Sequence, residues 1–400
     1  LETDLRGRDF TLNAIALDVR TQQLFDPLNG ANDLRAKTLR ACSPTSLSDD
    51  PIRVLRAIRL AASYGFRILP ETRQAMKAAI PALSKTSAER RRDELFRILE
   101  GKQPATAIRA LEMLGVLPEV FPELPALKDV AQPSPHVDDV WAHTLNTLRH
   151  LENILSALSP EYDSSKASEF YNGLLVLRLG RYREQFDAHF ADGLTADRSI
   201  FGLLFFAALY HDVAKPLKSE TGEDGRIRFW GHDAEGAEMA ADRMRSLHLS
   251  NDETDRVKRV IGNHMRIHSM TNRFLDERKQ PSRRAIYRFF RDTREAGVDL
   301  VLLSLADLRA TYEHTLPESL WKAELDVCRI LLENLWEHPA EVVKPPSFLN
   351  GHEVMQAFEL SPSPLVGALL EAIREAQAMG DVSDKDEALV FASNWLKKEN

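Results

Sequence analysis

The chain has 400 residues, with 52 Lys and Arg against 60 Asp and Glu and a net charge of −8. Its two cysteines, Cys42 and Cys328, exclude a disulfide framework and fit a reducing, cytoplasmic setting. No apolar run approaches the ~20 residues of a membrane helix, and no signal-peptide pattern opens the chain. The overall acidity argues against a general nucleic-acid binder, yet residues 51–110 carry thirteen Lys/Arg against five Asp/Glu. A phosphate backbone responds to such a local excess, not to the average.

The chain begins at Leu1 in what reads as the interior of a motif, so a piece of a longer protein is expected. Residues 10–26 mix β-type and apolar residues and break at Arg20-Thr-Gln, Asp26-Pro27 and Asn29-Gly30. They predict a short helix or strand, a strand and a turn, the only sheet material expected. From Ser48 the pattern turns helical. Ser48-Asp-Asp50 offers N-cap acceptors before Pro51, and Ile52, Leu55 and Ile58 repeat at helical spacing beside a stripe of Arg53, Arg56 and Arg59. Helices follow over about Pro70–Ala79, Ser87–Leu99 and Ala105–Leu114, and the proline-rich run 117–135 reads as a domain junction.

A second helical block holds Trp141–Leu158, a polar stretch at 159–168, Gly173–Arg183, Phe201–Val213 and a Gly/Asp/Glu loop at 219–226. It continues with Ala234–Leu247, a helix ending in Gly262-Asn-His264, Arg283–Arg294 and Val298–Thr311. Glu318–Trp336, Leu365–Met379 and Glu387–Lys398 complete the helices.

The apolar run from Phe201 ends in His211-Asp212, and burying two polar side chains without partners costs roughly 2–7 kcal/mol each. Other candidate ligands stand on or beside predicted helices: His143, His232, His264 and Asp307. Imidazole and carboxylate donors with no thiolate suit Mn, Fe, Ni, Co or Zn in an open catalytic site, which points to metal-assisted phosphoester hydrolysis. Each residue alone can be a surface or capping group; their common placement favours the metal reading. His136, His150, His248 and His268 lack that context, although His268 lies four residues after His264.

The order His…His-Asp…His…His…Asp, with Asp-Val-Trp-x-His-Thr-Leu at 139–145 and Gly-His-Asp-x-x-Gly-Ala at 231–237, resembles the HD phosphohydrolase superfamily. It is most similar to the HD domain attached to bacterial tRNA nucleotidyltransferases and poly(A) polymerases. The resemblance implies that His143, His211, Asp212 and Asp307 bind a metal, and that His232 and His264 add a second metal or contact phosphate. Lys215 matches the family's lysine, as a phosphate contact or as an ion-pair partner.

The front of the chain points to the same family. Asp4-Leu-Arg-Gly-Arg-Asp-Phe-Thr-Leu-Asn-Ala14 resembles the Arg-Arg-Asp-Phe-Thr-x-Asn-Ala motif of class II nucleotidyltransferases, with Gly7 in place of the first arginine. Asp26–Leu34 resembles their flexible linker, Asp49-Asp-Pro-Ile-Arg53 their nucleobase-reading motif, and Leu349–Met355, Pro364–Gly367 and Asp386–Leu389 their C-terminal body and tail. The resemblance implies that Arg8 and Asp9 contact the phosphate or sugar of CTP or ATP, with Arg56 beside them. It also implies tRNA acceptor ends, or other RNA 3′ ends, as partners. Asp50 and Arg53, three apart, are expected on one helical face, where carboxylate and guanidinium can read the edge of C or A; the bland alternative is an N-cap and a solvated charge. The basic helices of 51–110 are expected to grip tRNA phosphates, extended by a cluster at 278–291.

The expected architecture is mainly α: a remnant of an α/β nucleotidyltransferase head (1–40), a helical neck and RNA-binding body (41–130), an all-α HD domain (131–320) and a helical tail (321–400). Nucleotidyl transfer needs paired carboxylates holding two Mg ions. No Gly-Ser-x-x-x-Asp-x-Asp occurs in these residues, so the transferase function is expected of a longer parent. Two other readings are an autonomous metal-dependent phosphodiesterase with an RNA-docking front half, and an RNA-binding module with a degenerate HD site.

Overall fold

The computed structural model describes residues 1–163, 169–191, 193–194 and 198–399; positions 164–168 of the expected polar stretch lie outside the described residues. At the front, Ala16–Leu17 pairs antiparallel with Leu24–Phe25. The segment that follows is locked, where a flexible linker was expected. The Asp26 carboxylate accepts from the Gly30 and Ala31 amides at 2.7 and 2.9 Å, and Asp33 accepts from the Thr11 and Thr38 hydroxyls at 2.7 and 3.0 Å. Gly30 permits the approach, since a Cβ there would sit 1.9 Å from the Thr11 carbonyl oxygen.

Two further strand pairs correct the expectation of a single sheet region. Thr38–Leu39 runs parallel to Arg67–Ile68, and Glu220–Thr221 forms a hairpin with Ile227–Arg228 where a loop was expected. Strands of two residues are too short to leave a period-2 signal. Most helices fall close to their expected spans, but Arg183–Ala191, Met265–Glu277 and Gly351–Phe358 were not expected. Arg53–Tyr64 ends at Gly65 (φ 70°), Ala88–Leu99 is capped by Ser87, and Val140–Ala157 is capped by Asp139, which accepts from the Ala142 amide at 2.7 Å.

The proline-rich run is no solvated junction through its first half. Leu117, Val120, Phe121, Leu124 and Leu127 are all buried, and Glu123 pairs with Arg243 and accepts from the Tyr210 hydroxyl. Phe96 of the neck stacks on Phe206 at 6.2 Å, and Glu100 accepts from the Ser199 amide just before the helix Ile200–Tyr210. Neck and HD helices therefore share one core, which runs from Phe10 to Val342 and takes in Ala378. In Ile200–Tyr210 every residue but Phe201 is buried, as a helix apolar on all sides requires. The window Ile200–Leu217 does reach the length and apolarity of a membrane span, contrary to the expectation above, but 83% of it is buried inside the protein. The helix Glu318–Trp336 belongs to the main core; a second core begins only at Leu349 and holds the C-terminal helices.

The basic run 278–291 docks that C-terminal unit. Arg284 and Arg288 pair with Glu375 at 3.2 and 2.7 Å, and Arg283 donates to the carbonyls of Ala378 and Glu341. Tyr287, Phe289 and Phe290 are core residues. Within the expected second RNA track, Arg283, Arg284 and Arg288 thus find partners in the same chain, although Arg284 and Arg288 stay about half exposed.

One buried ion cluster ties the HD helices together. Arg256 donates to Asp299 at 2.6 and 3.1 Å, and the His189 ring contacts the same carboxylate at 2.7 Å. Burial pushes the Asp299 carboxyl up, but Arg256 and His189 hold it below its ordinary value of 3.8. A depressed carboxyl pKa stabilises the fold above the unfolded value, and that stability is lost as pH falls through the folded one. Asp299→Ala leaves Arg256 buried and uncompensated. It is expected to cost about 3–5 kcal/mol in urea unfolding at pH 7, with the difference from wild type shrinking at acid pH.

Candidate metal centre and nucleotide pocket

Three of the four central histidines share one local device. The rings of His211, His232 and His264 place Nδ1 at 2.8, 2.7 and 2.7 Å from the carbonyls of Ala208, Phe229 and Ile261, each three residues back. A carbonyl only accepts, so each Nδ1 carries the proton and each Nε2 is left with its lone pair directed away from the backbone. For His232 the turn is completed by Gly231 in the left-handed region (φ 77°).

The free nitrogens converge. Nε2 of His143 lies 3.3 Å from Nε2 of His211, and Nε2 of His232 lies 3.2 Å from Nε2 of His264. Two lone pairs at that distance repel unless a proton or a metal ion stands between them. Asp212 sits between the two pairs: Oδ2 is 3.5 and 3.2 Å from His143 and His211, and Oδ1 is 3.4 and 3.8 Å from His232 and His264. Asp307 Oδ1 completes the first group, 3.0 Å from His143. Two ligand-like sets result, His143/His211/Asp307 and Asp212/His232/His264, all buried, with the donor atoms of each set within 4.8 Å of one another. All six sequence-predicted candidates are thus brought together, and their donor set fits one or two divalent cations.

The electrostatics follow from burial and crowding. Burial disfavours the His211 cation, but Asp212 outweighs it and raises that pKa. Burial and the neighbouring His211 and His232 push His264 down to about 3. Burial opposes ionisation of Asp212, yet His211 and Lys215 hold its carboxyl well below the ordinary range. Lys215 Nζ lies 2.6 Å from both Asp212 Oδ2 and Gln132 Oε1, which is the ion-pair arrangement. A cavity of about 530 Å³ opens beside the cluster, walled by His136, Phe229, Trp230 and Tyr312 among others.

The second candidate site is a cleft lined by Arg8, Asp9, Arg53 and Arg56 together with Gly7 and Asn13. Asp9 Oδ2 accepts from Arg56 at 2.9 Å, and Oδ1 accepts from the Phe10 amide and the Asn13 side chain at 2.8 and 3.0 Å. Burial pushes this carboxyl up; the Arg56 and Asn13 bonds overcome it and hold the pKa below its ordinary value. Arg53 donates to the Gly7 carbonyl and the Ser46 hydroxyl at 2.8 and 2.9 Å. Arg8 donates to the Asn13 carbonyl at 3.0 Å. Asp50 is not among the lining residues. It is extended (φ −144°), pairs with Arg90 at 2.7 Å, and stands before the helix that Arg53 begins. Asp50 thus stands ahead of the helix and not within it, yet its Oδ2 lies 3.7 Å from Arg53 Nε, so the expected carboxylate and guanidinium are brought together. Within 51–110, Arg56, Arg59 and Arg97 surround the buried Glu94, while Arg67, Arg73 and Lys77 remain exposed.

Comparison with known proteins places this architecture. Family descriptions match in three segments: the poly(A) polymerase head domain over residues 1–40, a probable RNA- and SrmB-binding site of polymerase A over 65–127, and the HD domain over 189–311. The A-adding tRNA nucleotidyltransferase of Deinococcus radiodurans is 32% identical over 404 residues, covering 100% of this chain and 80% of the relative. The CC-adding enzyme of Thermus thermophilus is 31% identical, covering 99% and 77%. The chain belongs to the class II, CCA-adding tRNA nucleotidyltransferase family. Among solved structures, the Thermotoga maritima CCA-adding enzyme complexed with tRNA shares the fold at a TM-score of 0.51 and 19% identity, covering 99% of this chain and 74% of that one. A CCA-adding enzyme complexed with CTP shares it at 0.55 and 18%, covering 99% and 72%.

In this nucleotidyltransferase-family chain, sequence reasoning left out three residues of the metal-centre wall. His268 contacts Asp307 Oδ2 at 2.9 Å and Glu324 Oε1 at 3.0 Å. His136 packs edge-on against His143 at 5.3 Å, its pKa pushed down to about 4 by burial and by Lys215. The four-residue spacing from His264 to His268 was the available signal; nothing in the sequence marks Glu324. In the nucleotide cleft, Arg56→Ala leaves Asp9 buried without its cation. The expected outcome is a loss of about 1.5–3 kcal/mol in unfolding and a rise of the Asp9 carboxyl pKa by NMR, both partly restored by Arg56→Lys.

Proposed function

We propose that this chain comes from a templateless tRNA 3′-end nucleotidyltransferase, adding CMP, AMP or both, whose HD domain is a metal-dependent phosphohydrolase. The observation that carries the hydrolase half is the convergence of four Nε2 atoms and two carboxylates in a buried cluster beside a cavity. The ligands are His143, His211, Asp212, His232, His264 and Asp307, with Asp212 shared between two positions. Mn, Fe, Ni, Co or Zn suits these donors; bound there, such an ion polarises a phosphate oxygen and supplies a nucleophile from water at neutral pH. The chain's own part is to fix the donors. Three backbone carbonyls set the imidazole tautomers, and Lys215 with Gln132 steadies Asp212.

The transferase half rests on family membership and on the Arg8, Asp9, Arg53 and Arg56 cleft, which offers three guanidiniums to a nucleotide phosphate. In this reading Asp50 joins them when it exchanges Arg90 for an incoming CTP or ATP, and exposed Arg67, Arg73 and Lys77 contact the tRNA acceptor end. The enzyme works in the cytoplasm, with Mg serving the transfer step. Its paired catalytic carboxylates have no Gly-Ser-x-x-x-Asp-x-Asp counterpart in these 400 residues.

Two experiments test the halves separately. Metal analysis and hydrolysis of a chromogenic phosphodiester are expected to show a metal-loaded, active protein, with both metal content and rate lost in a His211→Ala/Asp212→Ala variant; unchanged metal content would refute the ligand assignment. Primer extension on tRNA with labelled CTP and ATP is expected to show no incorporation by these 400 residues alone. Robust incorporation would overturn the requirement for carboxylates outside them.

A further inference from the structure

Glu324 is a carboxylate that packing alone does not explain. It is 0% exposed, on the helix Glu318–Trp336, beyond the residues matched by the HD family. Its Oε1 lies 3.0 Å from His268 Nδ1, an ion-pair contact outside hydrogen-bond geometry, and neither carboxylate oxygen has a hydrogen-bond partner among the described residues. An apolar side chain there would avoid the desolvation of a buried charge. The far side of the same imidazole is equally committed: His268 Nε2 lies 2.9 Å from Asp307 Oδ2, while Asp307 Oδ1 faces His143 at 3.0 Å. Glu324, His268, Asp307 and His143 thus form one row running from a core helix into the metal centre.

We infer that Glu324, acting through His268, is a positioning residue for Asp307 that sets the metal affinity of the centre. The inference rests on the metal-centre reading given above. A ring held at both nitrogens by carboxylates cannot turn about its Cβ–Cγ bond without breaking a contact. While it is held, Asp307 keeps Oδ2 on His268 and presents Oδ1 to the ligand cluster. Without Glu324 the ring is fixed at one end only, and the carboxylate it orients gains freedom. Glu324 is buried at the back of the cavity wall, behind His268. Outer partners of this kind typically alter metal affinity by tenfold to a hundredfold. A cut at the boundary expected from sequence, after residue 320, would remove Glu324 and leave His268 and Asp307 in place.

The test is calorimetric titration of the metal-stripped 400-residue protein with Mn²⁺, for wild type, Glu324→Gln, His268→Gln and the double variant. Glu324→Gln is expected to weaken Mn²⁺ binding about tenfold or more. The melting temperature of each metal-stripped variant is recorded alongside, so that a loss of fold is told apart from a loss of affinity. Because the two residues act in series, the double variant is expected to bind no more weakly than His268→Gln. Unchanged affinity in Glu324→Gln, or additive losses in the double variant, would overturn the inference and leave the metal centre standing. If Glu324→Gln fails to fold, His268→Gln decides, and unchanged affinity there is equally fatal. A wild type that binds no Mn²⁺ would overturn the metal-centre reading and this inference together.

Discussion

Six donor groups crowd into one buried space, where a proton or a metal ion has to stand between the facing nitrogens. Two imidazole pairs face each other nitrogen to nitrogen at 3.2–3.3 Å, and Asp212 is wedged between. The two nitrogen–nitrogen contacts are repulsive unless a proton or a cation occupies the gaps. Much of the surrounding structure reads as the means of holding that arrangement: carbonyls three residues back on three histidines, Lys215 and Gln132 on Asp212, and His268 on Asp307.

What keeps these groups from relaxing apart is packing. The helix Ile200–Tyr210 delivers His211 and Asp212 from the middle of the core, with Phe96 and Phe121 of the neck against Phe206. The RNA-binding neck and the HD helices are therefore not independent beads. A change in the neck can reach the metal centre through shared apolar contacts, and Glu100 before the Ile200 helix is a polar link of the same kind.

Charge is spent inward more than its distribution along the chain suggests. The guanidiniums of Arg56, Arg59 and Arg97 converge on Glu94, and those of Arg284 and Arg288 on Glu375. A local excess of Lys and Arg shows where basic residues are, but not which carboxylates lie across from them. That difference separates the exposed Arg67, Arg73 and Lys77 from arginines whose guanidiniums are drawn onto carboxylates of the same chain.

The sequence by itself was sufficient for most helical spans, for the family, and for naming six candidate ligands that the structure brings together. Caps, apolar periodicity and His-Asp at the end of an apolar helix are local features, and local features survive in one dimension. It was not sufficient where partners are distant. Asp33 stood within an expected linker until Thr11, 22 positions back, was placed against it. The run 117–127 looked like a linker until its leucines met the core. Glu324 gave no signal at all, because its meaning lies in an imidazole 56 positions away. Even the pairing of the central histidines was decided only in three dimensions: the chain order names the ligands, but only tertiary packing brings four free nitrogens face to face and makes a cation the natural way to hold them there.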